Sequence, residues 1–208
     1  MYHQPVDDVT AFILAGGKSS RMGKDKAFLR LGDETLISRA VNLAKSLTPN
    51  VRIVGEAAKF AGLGPAVEDV YPDRGPLGGI HAALVSTKTA LNLMLAVDTP
   101  FVESNFLEFL ISEARRSEAI VTVPRSGGRM HSLCAIYRKE FSALAEQSLI
   151  LGQNRIDLLF SRVKTRVIEE TELQQLGYCP EMFRNLNTPE EWKEAELKFG
   201  KENVLRES

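Results

Sequence analysis

Three runs of strand length, Ala11 to Ala15, Val51 to Gly55 and Leu91 to Val97, are apolar almost without interruption, and each is followed by a stretch with helical periodicity. A strand with one solvated face alternates apolar and polar side chains. Unbroken apolarity therefore means burial on both faces, the condition of central parallel strands covered by helices. Alternation of such strands with helices predicts an α/β fold: a single doubly wound, mostly parallel sheet flanked by helices. Leu36, Ala40, Val41, Ala44 and Leu47 share one stripe of a helix that Pro49 helps to end, so a first β-α-β unit spans about residues 10 to 55. With 208 residues and 44% hydrophobic content, the chain is long enough to fill one core, and 1–208 reads as one domain.

Beyond Val97 the pattern predicts a helix from about Ser104 to Ala114, a strand at Ala119 to Val123, a Gly-rich turn at Ser126 to Arg129 and a strand at Leu133 to Tyr137. Too few residues separate the last two strands for a helical crossover. They are expected to pair antiparallel, or the turn to be a functional excursion. A further strand is expected at Thr165 to Ile168. Near the end, Thr188 has the character of a helix cap, with Pro189 at the first helical position and Glu190 and Glu191 in the first turn.

Lys and Arg number 26 against 27 Asp and Glu, for a net charge of −1. No global positive field exists to draw the chain to nucleic acid or to anionic lipid, so any anion site must be local. Cys134 and Cys179 form no CxxC pair, which fits a reducing compartment, and the opening MYHQPVDDVT has neither a basic leader nor an apolar signal core. A cytoplasmic location without membrane association is the expectation. His3, His81 and His131 are too scattered for a zinc site, so a metal, if used, is expected on oxygen ligands.

The first strand runs directly into Gly16-Gly17-Lys18-Ser19-Ser20-Arg21-Met22-Gly23-Lys24-Asp25-Lys26. In open α/β sheets ligands sit at the carboxyl ends of strands. Two glycines there free backbone N–H groups to face a phosphate, and Lys18, Arg21, Lys24 and Lys26 set four cations against Asp25. The loop is not a Walker A: five residues separate Gly17 from Gly23 and Asp25 follows Lys24, where that motif needs four and Ser or Thr. No Gly-x-Gly-x-x-Gly can be read either. A polyphosphate cradle is the reading that uses all these features together.

At the end of the run from Leu91 stands Asp98, before Thr99-Pro100. Taken alone, it reads equally well as a turn cap and as the single carboxylate that Mg²⁺ takes alongside substrate phosphates. Asp73-Arg74-Gly75-Pro76-Leu77-Gly78-Gly79-Ile80 is a rigid turn entering a helix, with glycines that permit close backbone approach. Two later segments, Val123 to Tyr137 and Phe183 to Glu191, carry Arg125, Arg129, Asn185 and Asn187. Amides offer paired donors and acceptors, and guanidinium groups suit phosphate.

The stretch LAGGKSSRMGKDKAFLRLGDETLI resembles the nucleotidyltransferase signature L-A-G/A-G-x-S-x-R-M-G-x-x-K, in the double-glycine, Asp-Lys form of the molybdenum cofactor guanylyltransferase family. Val97 to Pro100, the Gly-Pro-Leu-Gly-Gly-Ile turn, and the Leu-Cys-Ala-Ile-Tyr and Asn-Leu-Asn-Thr-Pro-Glu segments are similar to further motifs of that family. The resemblance implies a Rossmann-like nucleotidyltransferase fold, with a nucleotide-binding part at about 10–100 and an acceptor-binding part at about 101–200. By it, Leu14, Ala15, Gly16, Gly17 and Asp73 contact the nucleotide, Arg21 and Lys26 bind its phosphates, and Asp98 binds Mg²⁺, with Mn²⁺ as an alternative. Asp69 is a weaker competitor for the role of Asp73. Asn185 and Asn187, with Arg125 or Arg129, hold the acceptor. Gly55 departs from the family, whose members often present a polar residue there. The implied reaction joins GMP from GTP to molybdopterin, with transient contact to cofactor-insertion or adaptor proteins. Two other readings fit the same residues: a nucleotidyltransferase with a cytidylyl donor or with a sugar-phosphate or phospholactate acceptor, and a nucleotide- or cofactor-binding protein without turnover.

Overall fold

The computed structural model describes residues 8–16, 25–188 and 190–197. In chain order its elements are β1 (Val9–Leu14), a 3-10 turn (Lys26–Phe28), β2 (Arg30–Leu31), β3 (Glu34–Thr35), α1 (Leu36–Lys45), β4 (Val51–Val54), β5 (Ala66–Val67), α2 (Pro76–Ser86) and β6 (Leu91–Ala96). There follow α3 (Ser104–Ser117), β7 (Val121–Ser126), β8 (Arg129–Met130), β9 (Cys134–Arg138), α4 (Phe141–Ile150), a 3-10 turn (Asp157–Arg162), β10 (Thr165–Ile168), α5 (Glu170–Gln175) and a 3-10 turn (Pro180–Phe183).

The main sheet has the order β10-β7-β9-β6-β1-β4-β5, with β8 paired to β7. Strands β6, β1, β4 and β5 run parallel to one another, as the continuous apolar runs demand. The β7–β10 pair is parallel too, and β9 lies between the two groups, antiparallel to both neighbours. The sheet is thus mostly parallel, and the short connection after Ser126 produces the antiparallel pairing its length requires, with Val121 opposite Tyr137.

Successive side chains of each strand point to opposite faces, and the two faces feed two cores. Ala11 and Ile13 of β1 and Leu93 and Leu95 of β6 pack with α1 and α3, whereas Phe12 and Met94 pack with α2 and α4. Helices therefore cover both faces. From β1 the chain passes through α1 to β4 on one side, then through α2 to β6 on the other. This reversal opens a crevice at the carboxyl ends of β1 and β6.

Some boundaries differ from the sequence reading. Helix α3 runs to Ser117 and ends at Glu118 in the left-handed region (φ 52°), which delays the following strand to Val121. Ala119 serves instead as a carbonyl acceptor for Arg138. Strands β2, β3, β5 and β8 are two residues long, too short to show any period. Residues 190–197 are helical, and Thr188 Oγ1 accepts the Glu191 amide (3.2 Å) while Glu191 Oε2 accepts the Thr188 amide (3.0 Å). That reciprocal pair is a capping box, and Pro189 itself lies outside the described residues.

Candidate active site

The crevice is built where the two central strands stop. Leu14 pairs with Ala96 in register, Val97 donates its N–H to the Leu14 carbonyl (3.2 Å), and the chain then turns so that Asp98 stands two residues beyond β6. On the β1 side, Ala15 is buried, its amide bonded to the Val54 carbonyl (3.1 Å), and Gly16 is exposed. Gly16 and Asp98 therefore emerge at the same end of the sheet.

Asp25 Oδ1 accepts the Ala27 amide (3.1 Å), capping the 3-10 turn that carries Lys26. Asp25 also pairs with Lys59, whose ammonium lies 5.2 Å from the centre of the Phe60 ring. So held, Lys26 extends its ammonium to Asp98 Oδ2 at 2.7 Å and to Asn187 Oδ1 at 2.7 Å. The Lys26 and Asp98 side chains are 16% and 20% exposed, mostly shielded but open enough to receive a ligand. The third partner arrives from the end of the chain, where Leu186 donates its N–H to the Asp98 carbonyl (3.1 Å) and the capping box fixes the residues that follow.

The second glycine turn closes the crevice from the α2 side. Gly75 has φ 64° and caps α2 with no side-chain hydrogen bond, and Pro76 opens the helix, so the first amides of α2 lack a side-chain acceptor. Gly78 donates its N–H to the Gly75 carbonyl (3.1 Å), and the dipole of a helix start favours anions. Gly79 packs against the strand ends: a Cβ there would lie 3.3 Å from Val54 Cγ1, 3.7 Å from Leu14 Cδ2 and 3.7 Å from Asp69 Oδ1. A Cβ on Gly78 would meet the Tyr71 carbonyl at 3.0 Å. The glycines are thus needed for close approach.

The expected residues fall into four groups. Leu14, Ala15, Gly16, Lys26, Asp98 and Asn187 converge at the strand ends. Asp73 lies on the exposed turn with φ 60°, while the carboxylate brought beside Gly79 is that of Asp69. Arg125 is engaged by Glu169 (3.0 Å), Arg129 is exposed on β8, and Asn185 is exposed two residues before Asn187. Gly17 and Arg21, with Lys18 and Lys24, lie outside the described residues. Gly55 has a structural reason to depart from a polar residue: with φ 152°, a Cβ there would sit 2.7 Å from the Phe60 ring. Among the described residues no group of three or more His, Cys, Asp or Glu side chains is arranged to hold a metal. No described helix is long and apolar enough to cross a membrane.

The family model described as "MobA-like NTP transferase domain" matches residues 11–166. A probable molybdenum cofactor guanylyltransferase of Clostridium perfringens is 32% identical over 189 residues, which cover 89% of this chain and 94% of the relative. The molybdenum cofactor guanylyltransferase of Desulfosudis oleivorans is 32% identical over 194 residues, 92% of this chain and 96% of the relative. Among solved structures, molybdopterin-guanine dinucleotide biosynthesis protein A from Archaeoglobus fulgidus superposes with a TM-score of 0.82 at 24% identity, covering 92% of this chain and 99% of that one.

Proposed function

The chain belongs to the MobA-like NTP transferase family, and from that premise we propose that it transfers GMP from GTP to molybdopterin with release of pyrophosphate. The observation that carries this reading is the meeting of Lys26, Asp98 and Asn187 at the carboxyl ends of β1 and β6. A cation, a carboxylate and an amide from three distant parts of the chain converge where a nucleotide loop and an acceptor segment must meet.

In the reaction, a terminal phosphate oxygen of molybdopterin attacks the α-phosphorus of GTP. A new P–O bond forms as the bond to the β-phosphate oxygen breaks, and pyrophosphate leaves with that electron pair. No covalent enzyme intermediate is needed, because transfer of this kind is achieved mainly by positioning and charge neutralisation. Lys26 stabilises the phosphate oxygens, with Arg21 assigned to the same task from the sequence. The N-terminus of α2 and the backbone of Leu14, Ala15 and Gly16 cradle the nucleotide. Asp69, beside Gly79, joins Asp73 as a nucleotide contact. Asn187 and Asn185, with Arg129 or Arg125, face the acceptor.

The donor set at Asp98 fits Mg²⁺. A strand-end carboxylate matches an ion that keeps its waters and takes one or two carboxylates plus substrate phosphates. When bound, the ion would neutralise charge on the phosphates. The site lies in a chain whose two cysteines are both free, consistent with the cytoplasm.

The test is product formation from GTP, CTP or ATP with molybdopterin and Mg²⁺, followed by mass spectrometry. Formation of a guanine dinucleotide with clear GTP preference supports the proposal. A CTP preference, or binding of GTP without turnover, would replace it.

A further inference from the structure

His131 belongs to none of the roles described so far, yet it joins the two acceptor-side segments. The β7–β8 turn reverses at Gly127 and Gly128, which have φ 55° and 71°, and His131 follows β8 with its N–H on the Pro124 carbonyl (2.9 Å). Its ring Nε2 lies 2.8 Å from Oγ of Ser126, a residue only 3% exposed. One face of the ring lies flat on Phe183, with centroids 4.1 Å apart and planes inclined by 14°. Phe183 is buried, edge-on to Phe106 of α3 (5.3 Å, 84°). Three residues after Phe183, Leu186 bonds the Asp98 carbonyl, and Asn187 reaches Lys26.

We infer that His131 is a positioning residue for the acceptor: by stacking on Phe183 it sets the 183–187 segment, and hence Asn185 and Asn187, against the crevice. A ring of modest size wedged between a buried serine and a buried aromatic has one orientation available, and its plane dictates where Phe183 sits. The imidazole does this as a neutral group. Burial, with help from the Arg129 cation, pushes its pKa down to about 4, so it adds no charge that changes across the neutral range. The geometry needs a flat ring more than an imidazole.

The inference rests on the acceptor assignment of the proposed function, so its test has one arm that does not. His131→Ala and His131→Phe are compared with the unmodified protein by thermal unfolding, by amide hydrogen exchange of Leu186 and Asn187, and by steady-state kinetics with GTP and molybdopterin. Loss of the stack in His131→Ala should speed exchange at both amides and raise KM for molybdopterin about tenfold, with KM for GTP within about twofold. His131→Phe, which keeps the stack, should restore both readouts. Unchanged exchange in a folded His131→Ala protein overturns the inference, whatever the acceptor proves to be. Faster exchange with unchanged KM for molybdopterin overturns the acceptor role, as does an equal rise in KM for both substrates. Absence of any transfer in the unmodified protein defeats the proposed function, while the exchange arm still decides whether His131 positions the segment.

Discussion

Lys26 and Asp98, 72 positions apart in the chain, meet at 2.7 Å because β1 and β6 are adjacent parallel strands that end at the same level. Both side chains are mostly shielded, and both belong to turns whose backbones are tied down, Lys26 by the Asp25 cap and Asp98 by Leu186. A pair fixed in this way is pre-organised for a charged ligand: the ammonium can pass from carboxylate to phosphate with little rearrangement.

Removing the ammonium should therefore weaken both binding and chemistry. Lys26→Ala is expected to lower kcat/KM for GTP by about 10²-fold, the scale of losing one well-placed electrostatic contact. Circular dichroism should remain unchanged, because the cap that shapes this turn is made by Asp25 and the Ala27 amide. An activity within threefold of the unmodified enzyme would show that the lysine contacts no phosphate.

Close approach of α2 to the preceding loop gives a second expectation. Gly78→Ala would put a methyl group 3.0 Å from the Tyr71 carbonyl, a backbone atom that cannot swing aside. A cost of about 2 kcal/mol in urea unfolding is expected, typical of overpacking. The displaced loop carries Asp69, so KM for GTP should rise as well. Unchanged stability would mean that the loop yields freely.

A third expectation concerns acid. Glu113 of α3 is 7% exposed and bonded by Arg116 (2.7 Å) and Arg166 (3.0 Å), tying α3 to β10. The Arg116 hydrogen bond, with Arg166, holds its carboxyl below the usual 4.5 despite the opposing effect of burial. A depressed folded value means that the stabilisation is complete above the unfolded value of 4.5 and is lost as pH falls through the folded one. Glu113→Gln should cost about 2 kcal/mol at pH 7, the scale of hydrogen bonds to charged groups, and the gap from the unmodified protein should narrow as pH falls below 4. A gap that is constant from pH 7 to pH 3 would exclude the ionised carboxylate as its source.

Much of this was legible in the chain. Continuous apolarity at Ala11 to Ala15 and Leu91 to Val97 announced two-sided burial, and burial on both faces largely determines a parallel sheet with helices on each side. Glycines and cations after β1, and a lone carboxylate after β6, followed from where such strands end. The short link between β7 and β9 announced antiparallel pairing. The contact of Asn187 with Lys26 was not legible, because it depends on how the segment after Phe183 returns to Asp98, just past the end of β6. Nor was the stack of His131 on Phe183, which joins residues with no common period. Asp69 and Asp73 could not be ranked from spacing, because which carboxylate comes near Gly79 depends on the backbone turn.

The most direct measurement of the central claim is GTP- and molybdopterin-dependent pyrophosphate release by Asp98→Asn beside the unmodified enzyme, with Mg²⁺ and with thermal unfolding recorded for both. The substitution keeps shape and the backbone bond to Leu186 while removing the charge that faces Lys26. The account predicts unfolding temperatures within a few degrees and a fall in turnover of at least about 10³-fold. Near-normal, metal-dependent turnover by a folded Asp98→Asn protein would contradict it.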